Sequence, residues 1–300
     1  MFKKVKRYLK NPYYALGDDM MRVCPKLMSD KYYIKVIWKQ IMGYPLDLRH
    51  PKTFNEKLQW MKLYDRNPLY TDLVDKYKVK QWVADRIGAE HVIPTLAVYD
   101  SVDEIDISQL PDQFVLKCNH DSGGVVICKD KSSFDFEAAK AKLKKSFEHN
   151  FYWDYREWPY KNVKRKIFAE EYLEDKKYGD LPDYKIFTFK GEPKLIEVDF
   201  DRFVHHKRNI YDTEWNYLNA QIQYPSVKDK AFCKPMKMES LLSLARTLAA
   251  GLKEVRVDFY IIDDKIYFGE MTFFHDAGLS VFSPQTLGNQ MGEWIELPIK

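Results

Sequence analysis

Two strand–turn–strand segments in the second half constrain this chain most. Tyr184-Lys-Ile-Phe-Thr-Phe189 and Lys194-Leu-Ile-Glu-Val198 flank a turn at Lys190-Gly191-Glu192-Pro193. Arg256-Val-Asp-Phe-Tyr-Ile-Ile262 and Lys265-Ile-Tyr-Phe-Gly-Glu270 flank Asp263-Asp264. Alternating apolar and polar residues around turn residues predict two antiparallel hairpins. Short strands are also expected at Val92–Leu96, Phe114–Lys117, Val125–Ile127 and Ile167–Ala169, and helices at 135–149 and 238–252. Residues 1–70 read as helical, and Thr53-Phe-Asn-Glu56 has the pattern of a capping box opening a helix. A further helix is expected over Asp72–Ile87, ending at Gly88. The tally is a helical start followed by an α+β body in two lobes.

The 300 residues are 45% hydrophobic and 31% charged, the balance of a soluble globular protein rather than a disordered chain. No run of about 18 uncharged apolar residues offers a membrane span. A net charge of +4 is too small to argue for nucleic acid, and no nucleic-acid partner is expected. Cys24, Cys118, Cys128 and Cys233 form no C-x-x-C pair, which suits a reducing compartment. The first ten residues are basic without an apolar h-region, so a cytoplasmic location is expected. Phe2, Val5 and Leu9 share a helical stripe ringed by lysines. Such a helix either packs by its stripe or lies at an anionic membrane surface, giving peripheral association.

Five segments could carry chemistry. Lys117-Cys-Asn-His-Asp-Ser-Gly-Gly124 joins a strand lysine to a loop whose N–H groups could wrap a phosphate, or is an ordinary glycine hairpin. Arg256 and Asp258 share one face of their strand, and Glu270 and Thr272 share a face of the next. Together they offer either a hard-oxygen Mg²⁺ site or an ion-pair ladder. Phe168-Ala-Glu-Glu-Tyr-Leu173, with Leu181-Pro-Asp-Tyr-Lys185, could present backbone and carboxylate groups to a nucleoside, or is a strand edge with solvated acids. His205-His206-Lys207-Arg208 is either a cationic clamp in a loop or a solvated charge run. Asp199-Phe-Asp201 has the short D-x-D form of many sugar-nucleotide transferases.

Taken in order, these pieces resemble the ATP-grasp superfamily, and more closely its TupA-like (teichuronopeptide-biosynthesis) family. The resemblance runs from about Lys52 to Pro298. It rests on Pro51-Lys-Thr-Phe-Asn-Glu-Lys57, Leu63-Tyr-Asp-Arg-Asn-Pro-Leu69, Val74-Asp-Lys-Tyr77, Phe114–His120, Ala169–Leu173, Leu181–Lys185, Asp201-Arg-Phe203, Arg256–Asp258 and Tyr267–Glu270. It implies an ATP-grasp domain over 71–300 after a helical region over 1–70, with a nucleotide lobe at about 90–180 and a metal-binding lobe at about 181–300. It implies ATP and Mg²⁺ as cofactors. Lys76 and Lys117 would reach phosphates under a flap of Asn119, His120, Ser122, Gly123 and Gly124. Glu170, Glu171, Leu173, Asp183 and Lys185 would serve the nucleotide, and Asp258, Glu270 and Thr272 the metal. Arg256 with Lys207 or Arg208 would stabilise the transferred phosphoryl group.

The chain departs from the family pattern in three places. Asp121 stands where glycine is common, Thr272 where a metal-binding Asn is usual, and His275-Asp276 where a Pro-Gly pair is usual. The implied activity is a carboxylate–amine ligase acting through an acyl phosphate, on a small-molecule or glycan-linked substrate such as a uronic-acid-containing precursor. The alternatives are an ATP-grasp kinase, a metal-dependent glycosyltransferase using Asp199 and Asp201, and a nucleotide-binding protein without turnover.

Overall fold

The computed structural model describes residues 25–121, 123–175, 183–201, 205–228 and 232–298. The basic stripe of residues 1–10, Ser122, Leu181, Pro182 and Phe203 lie outside them.

Helix α1 (Asp30–Met42) starts where the Ser29 hydroxyl accepts from Tyr32 N and stops at Gly43, which takes φ 84°. Helix α2 (Phe54–Tyr64) has the expected capping box: Thr53 accepts from Glu56 N, and the Glu56 carboxylate accepts from Thr53 N. The expected helix over Asp72–Ile87 is broken into α3 (Leu69–Val74) and α4 (Val79–Ile87). Asp75 breaks it, because its carboxylate accepts from the N–H groups of Tyr77 and Lys78 at 2.9 and 3.0 Å. That local turn competes with helical bonding. Lys76 is left between the helices, with its N–H donated to Asn119 O.

A four-stranded antiparallel sheet follows. It contains β1 (Thr95–Tyr99), β2 (Phe114–Cys118), β3 (Val125–Cys128) and β4 (Ile167–Glu171), ordered β1-β4-β2-β3. Strand β1 begins three residues later than expected. Val92 N is used in closing the preceding turn on Ala89 O, and Pro94 has no N–H to give a ladder. Helix α5 (Phe136–Glu148) covers this sheet, its Leu143 packed among Phe114, Leu116 and Ile167.

The second sheet has the order β11-β10-β5-β6-β7-β8. Strands β5 (Asp183–Phe189) and β6 (Glu192–Phe200) are joined by Lys190 and Gly191 at φ 52° and 83°. The turn is thus two residues long, and Glu192-Pro193, expected within it, belongs to β6. After β7 (Lys207–Tyr211), β8 (Tyr217–Leu218), β9 (Gln221–Ile222) and α6 (Met238–Ala249) come β10 (Glu254–Ile262) and β11 (Lys265–Thr272). Asp263 and Asp264 turn β10 into β11 at φ 48° and 60°. Positive φ at both central residues matches the right-handed strand twist. Strand β12 (Phe282–Ser283) pairs with β9, and α7 (Gln285–Trp294) follows.

Strand alternation splits the six-stranded sheet into two unlike faces. Ile186, Ile196, Val198, Val255, Val257 and Phe259 point one way and bury themselves with Leu241, Ala245 and Leu248 of α6. Each such side chain contributes about 1.5–3 kcal/mol when fully buried. The opposite face carries Asp183, Lys185, Glu197, Asp199, Arg208, Arg256 and Asp258, all buried. It lies against α2 and the loop after β11, which are joined by hydrogen bonds. Among the described residues no helix is long and apolar enough to cross a membrane.

Helix α7 fixes α2 by close approach. A Cβ on Gly292 would lie 2.2 Å from Lys52 O and 2.8 Å from Phe54 N, both backbone atoms. Gly292→Ala is therefore expected to destabilise the fold by about 1–3 kcal/mol, measured by denaturant unfolding; unchanged stability would show that the two helices do not pack in this way.

Candidate active site

The charged face is organised by strand register. Asp258 sits opposite Lys185 on one side and Glu270 on the other, while Arg256 faces Thr272. Lys185 lies opposite Glu197, and Asp183 opposite Asp199, which in turn faces Arg208. Arg256 grips Asp258 with two prongs, Nε to Oδ1 and Nη2 to Oδ2, both 2.7 Å. The same Nη2 is 3.2 Å from Glu270 Oε1 and 3.1 Å from Thr272 Oγ1. Lys185 Nζ bonds Asp183 and lies 3.0 Å from Asp258 Oδ2. Arg208 holds Asp199 at 2.7 and 3.2 Å, and its Nε is 3.0 Å from Glu197 Oε1.

Burial alone would raise the carboxyl pKa values here, and cations decide the outcome. For Glu270, burial is outweighed by Lys76 and Arg256, which hold it well below the usual carboxylate range. For Asp199, burial is likewise overcome by His206 and Arg208. Glu197 shares Arg208 with that better-placed rival, and burial pushes it up to about 8.

The second half of the site comes from the four-stranded sheet. Lys117 of β2 and Lys80 of α4 both reach Glu170 of β4, at 2.5 Å to Oε2 and 2.6 Å to Oε1. Glu170, expected at adenosine, pairs with both ammoniums. Lys80 was not foreseen: its only sequence signal is its place four residues after Lys76, and the break at Asp75 takes Lys76 out of that helix. Lys80 Nζ also bonds Ile93 O and Thr95 Oγ1. Glu171 has an exposed side chain and gives its N–H to Pro94 O, and Leu173 follows half-buried beyond the strand end.

Lys76 joins the halves. Its Nζ is 2.9 Å from Asp121 O, in the loop after β2, and 3.0 Å from Glu270 Oε2 on β11.

Several expected site residues are placed differently. Asn119 and His120 were expected in the flap, yet both are buried in its base. Asn119 gives Nδ2 to Lys164 O and accepts from Lys166 N, tying β2 to the approach to β4. His120 Nε2 lies 3.1 Å from His149 O. Asp121 is also turned inward, accepting from Gly124 N at 3.3 Å, and burial lifts its carboxyl against the pull of Lys76. A Cβ on Gly124 would meet the Ser146 hydroxyl at 2.4 Å and the Asp121 carboxylate at 2.8 Å, so those side chains would have to turn away, whereas Gly123 is exposed with φ 139°. Lys207 and Arg208, expected in a loop, are strand residues of β7. They point to opposite faces, and only Arg208 joins the charged one. His206 stacks on Tyr224 and lies 3.1 Å from Asp199 Oδ1. Asp199, half of the D-x-D pattern, is thus committed to protein cations.

No group of three or more His, Cys, Asp or Glu side chains among the described residues is arranged to hold a metal by itself. Asp258, Glu270 and the Thr272 hydroxyl still form a hard-oxygen set across adjacent strands. Glu270 is 33% exposed. Such a set fits Mg²⁺, which takes few protein oxygens and completes its shell with water and phosphate.

A pH signature follows from Glu197. Its folded pKa of about 8 lies above the ordinary 4.5, so the folded state holds the proton more tightly and stability is lost as pH rises through that window. Glu197→Gln lacks this loss. The variant's stability relative to wild type should therefore increase between about pH 4.5 and 8, followed by denaturant melts; a pH-independent difference would show that Glu197 is ionised in the fold.

The sequence model described as TupA-like ATPgrasp matches residues 56–296. No curated protein sequence matches the chain. Among solved structures, similarity extends to D-alanine–D-alanine ligase from Bacillus anthracis, complexed with ATP, at 15% identity and TM-score 0.40, covering 67% of this chain and 54% of that one. The Helicobacter pylori D-alanine–D-alanine ligase is 12% identical with TM-score 0.44, covering 81% and 69%. N5-carboxyaminoimidazole synthase from Aspergillus clavatus is 14% identical with TM-score 0.40, covering 69% and 46%. The chain spans about half the length of the first and third. Because the family match crosses both sheets and the Lys76 segment between them, the chain belongs to the TupA-like ATP-grasp family and has its α+β fold.

Proposed function

We propose that the chain is an ATP-dependent carboxylate–amine ligase working through an acyl phosphate. Its substrates in this reading are an amino acid and a uronic-acid-type or other cell-surface polysaccharide precursor, and its place is the cytoplasm, where ATP is supplied. The observation that carries the reading is the Lys76 bridge. One ammonium touches both the glycine loop after the Lys117 strand and the acidic edge at Glu270. A triphosphate lying along that line meets Lys117, Lys80 and Lys76 in turn, with Arg256 at the far end.

The chemistry needs such a line. A carboxylate does not condense with an amine in water, because oxide is a poor leaving group. Attack by the carboxylate oxygen on the γ-phosphorus forms an acyl phosphate and expels ADP. The amine nitrogen then attacks the acyl carbon, phosphate leaves, and the nitrogen gives up its proton. In the first step, charge builds on the phosphoryl oxygens and the β–γ bridge. Lys76 and Arg256, once they exchange their carboxylate partners for phosphate oxygens, are the cations that would stabilise that charge. Mg²⁺ on Asp258 and Glu270, when bound, would neutralise phosphate charge. The glycine loop excludes water that would hydrolyse the intermediate. The family's link to teichuronopeptide synthesis supports the glycan side of the proposal.

The test is ADP release screened against amino acids and uronic acids. Acceptor-dependent ADP, phosphate and an amide are expected, and ADP with a stable phosphorylated product would identify a kinase instead. Glu270→Gln should lower turnover by about 10²-fold or more, and Lys117→Met should raise KM for ATP. Wild-type ADP release in Glu270→Gln would remove the acidic edge from the mechanism.

A further inference from the structure

Arg256 has one nitrogen not accounted for by the acids around it. Its Nη1 faces His275 Nδ1 at 2.6 Å. A guanidinium has donors only, so Nδ1 must accept, and the ring is neutral with its proton on Nε2. That Nε2 lies 3.1 Å from Asp276 Oδ2, without a well-aligned hydrogen bond. The same carboxylate oxygen is 3.5 Å from Arg208 Nη1. A chain of contacts therefore runs Arg256–His275–Asp276–Arg208, linking two buried cations through one neutral ring and one anion. The His275 ring is fully buried and packs edge-on against Phe187.

The backbone beneath this pair is unusual. Asp276, Ala277 and Gly278 all have left-handed conformations, at φ 45°, 54° and 62°. For the two residues with a Cβ this costs about 1–2 kcal/mol each, so something must hold the turn. Helix α2 does. Asn55 Nδ2 donates to Ser280 O at 2.8 Å. Gln59 Nε2 donates to Ala277 O and Gly278 O at 2.9 and 2.7 Å. Lys62 Nζ donates to Ala277 O at 2.7 Å. These three side chains, spaced four and three apart, form one buried polar stripe on an otherwise apolar helix face. Burying amide and ammonium groups is unfavourable unless each finds a partner, and most of these partners lie in this single turn.

We propose that His275 and Asp276 are positioning residues that fix the orientation of Arg256 and Arg208, and that the Asn55–Gln59–Lys62 stripe of α2 holds them in place. The His-Asp pair that departs from the family's usual Pro-Gly is then part of the site. The kinetic arm of the test rests on the ligase reading; the spectroscopic arm does not. His275→Ala should lower kcat by about 10²-fold with KM for ATP nearly unchanged, because Arg256 keeps its charge and loses its aim. His275→Asn, whose Oδ1 can accept from Nη1, should recover most of that loss, and His275→Leu should not. Gln59→Leu should reproduce the His275→Ala defect. Thermal melts of each variant check folding. Heteronuclear NMR of wild-type histidine ring nitrogens should show His275 with Nδ1 unprotonated and Nε2 protonated.

A protonated Nδ1 would overturn the proposal, as would wild-type kcat in folded His275→Ala or a defect confined to KM. Wild-type protein that binds ATP yet releases no ADP with any acceptor would overturn the ligase reading, and the ring tautomer would still decide this one.

Discussion

Arg256 is the cation around which the charged face of the six-stranded sheet is arranged. Asp258 receives both prongs of its guanidinium, and Glu270 and Thr272 share one of its nitrogens. Removing one partner from a buried pair leaves an uncompensated charge, which costs several kcal/mol. The sheet therefore cannot lose Arg256 without repacking, and the rest of the charged face takes its order from it. Lys185 completes Asp258 from the neighbouring strand, and Arg208 repeats the arrangement two strands away on Asp199. Glu197, lying between the two arginines, is pushed up by burial, and so is Glu254 at the start of β10.

The break at Asp75 brings a further cation, Lys76, to the edge of this face. A continuous helix over 72–87 would carry position 76 on a helix surface, with its N–H bonded inside the helix. The side-chain turn of Asp75 stops α3 and restarts the helix at Val79. Lys76 N can then bond Asn119 O while its ammonium reaches Asp121 O and Glu270. A local choice between two hydrogen-bond patterns thus sets the contact between the sheets. Four residues on, the restarted helix delivers Lys80 to Glu170.

Much of this was legible in the sequence where spacing carries geometry. The period of two put Arg256 with Asp258 and Glu270 with Thr272 on common faces. Which residues face each other was not legible: register shifts between Asp258 and Phe259 against β11, and between Phe187 and Thr188 against β6, set the pairs of the charged face. The capping box at Thr53 marked the start of α2. Features decided by long-range partners were not legible. Nothing near Asn119 or His120 says that Lys164, Lys166 and His149 will claim their polar atoms. Asp75 looks like a helix residue until its carboxylate is seen bonding its own backbone. Asn55, Gln59 and Lys62 are buried polar residues whose acceptors lie in a left-handed turn more than two hundred residues away, and nothing local to α2 announces those partners.

The resting arrangement also bears on how a polyanion could enter so charged a site. Every cation along the line is already satisfied: Lys117 and Lys80 by Glu170, Lys76 and Arg256 by Glu270. An arriving triphosphate must compete with those carboxylates, and in doing so it releases them. The released oxygens are hard donors of the kind a divalent cation bound to phosphate prefers. Binding in the ligase reading is then an exchange of partners in which ion pairs are replaced rather than broken. Such an exchange avoids stranding a buried charge at any stage, which would be the dominant cost in a low-dielectric cleft. It also implies that affinity for nucleotide alone is modest, since each new contact is offset by one given up. In that reading, discrimination falls on the phosphoryl transfer, where charge moving toward the leaving oxygen meets cations fixed by the fold.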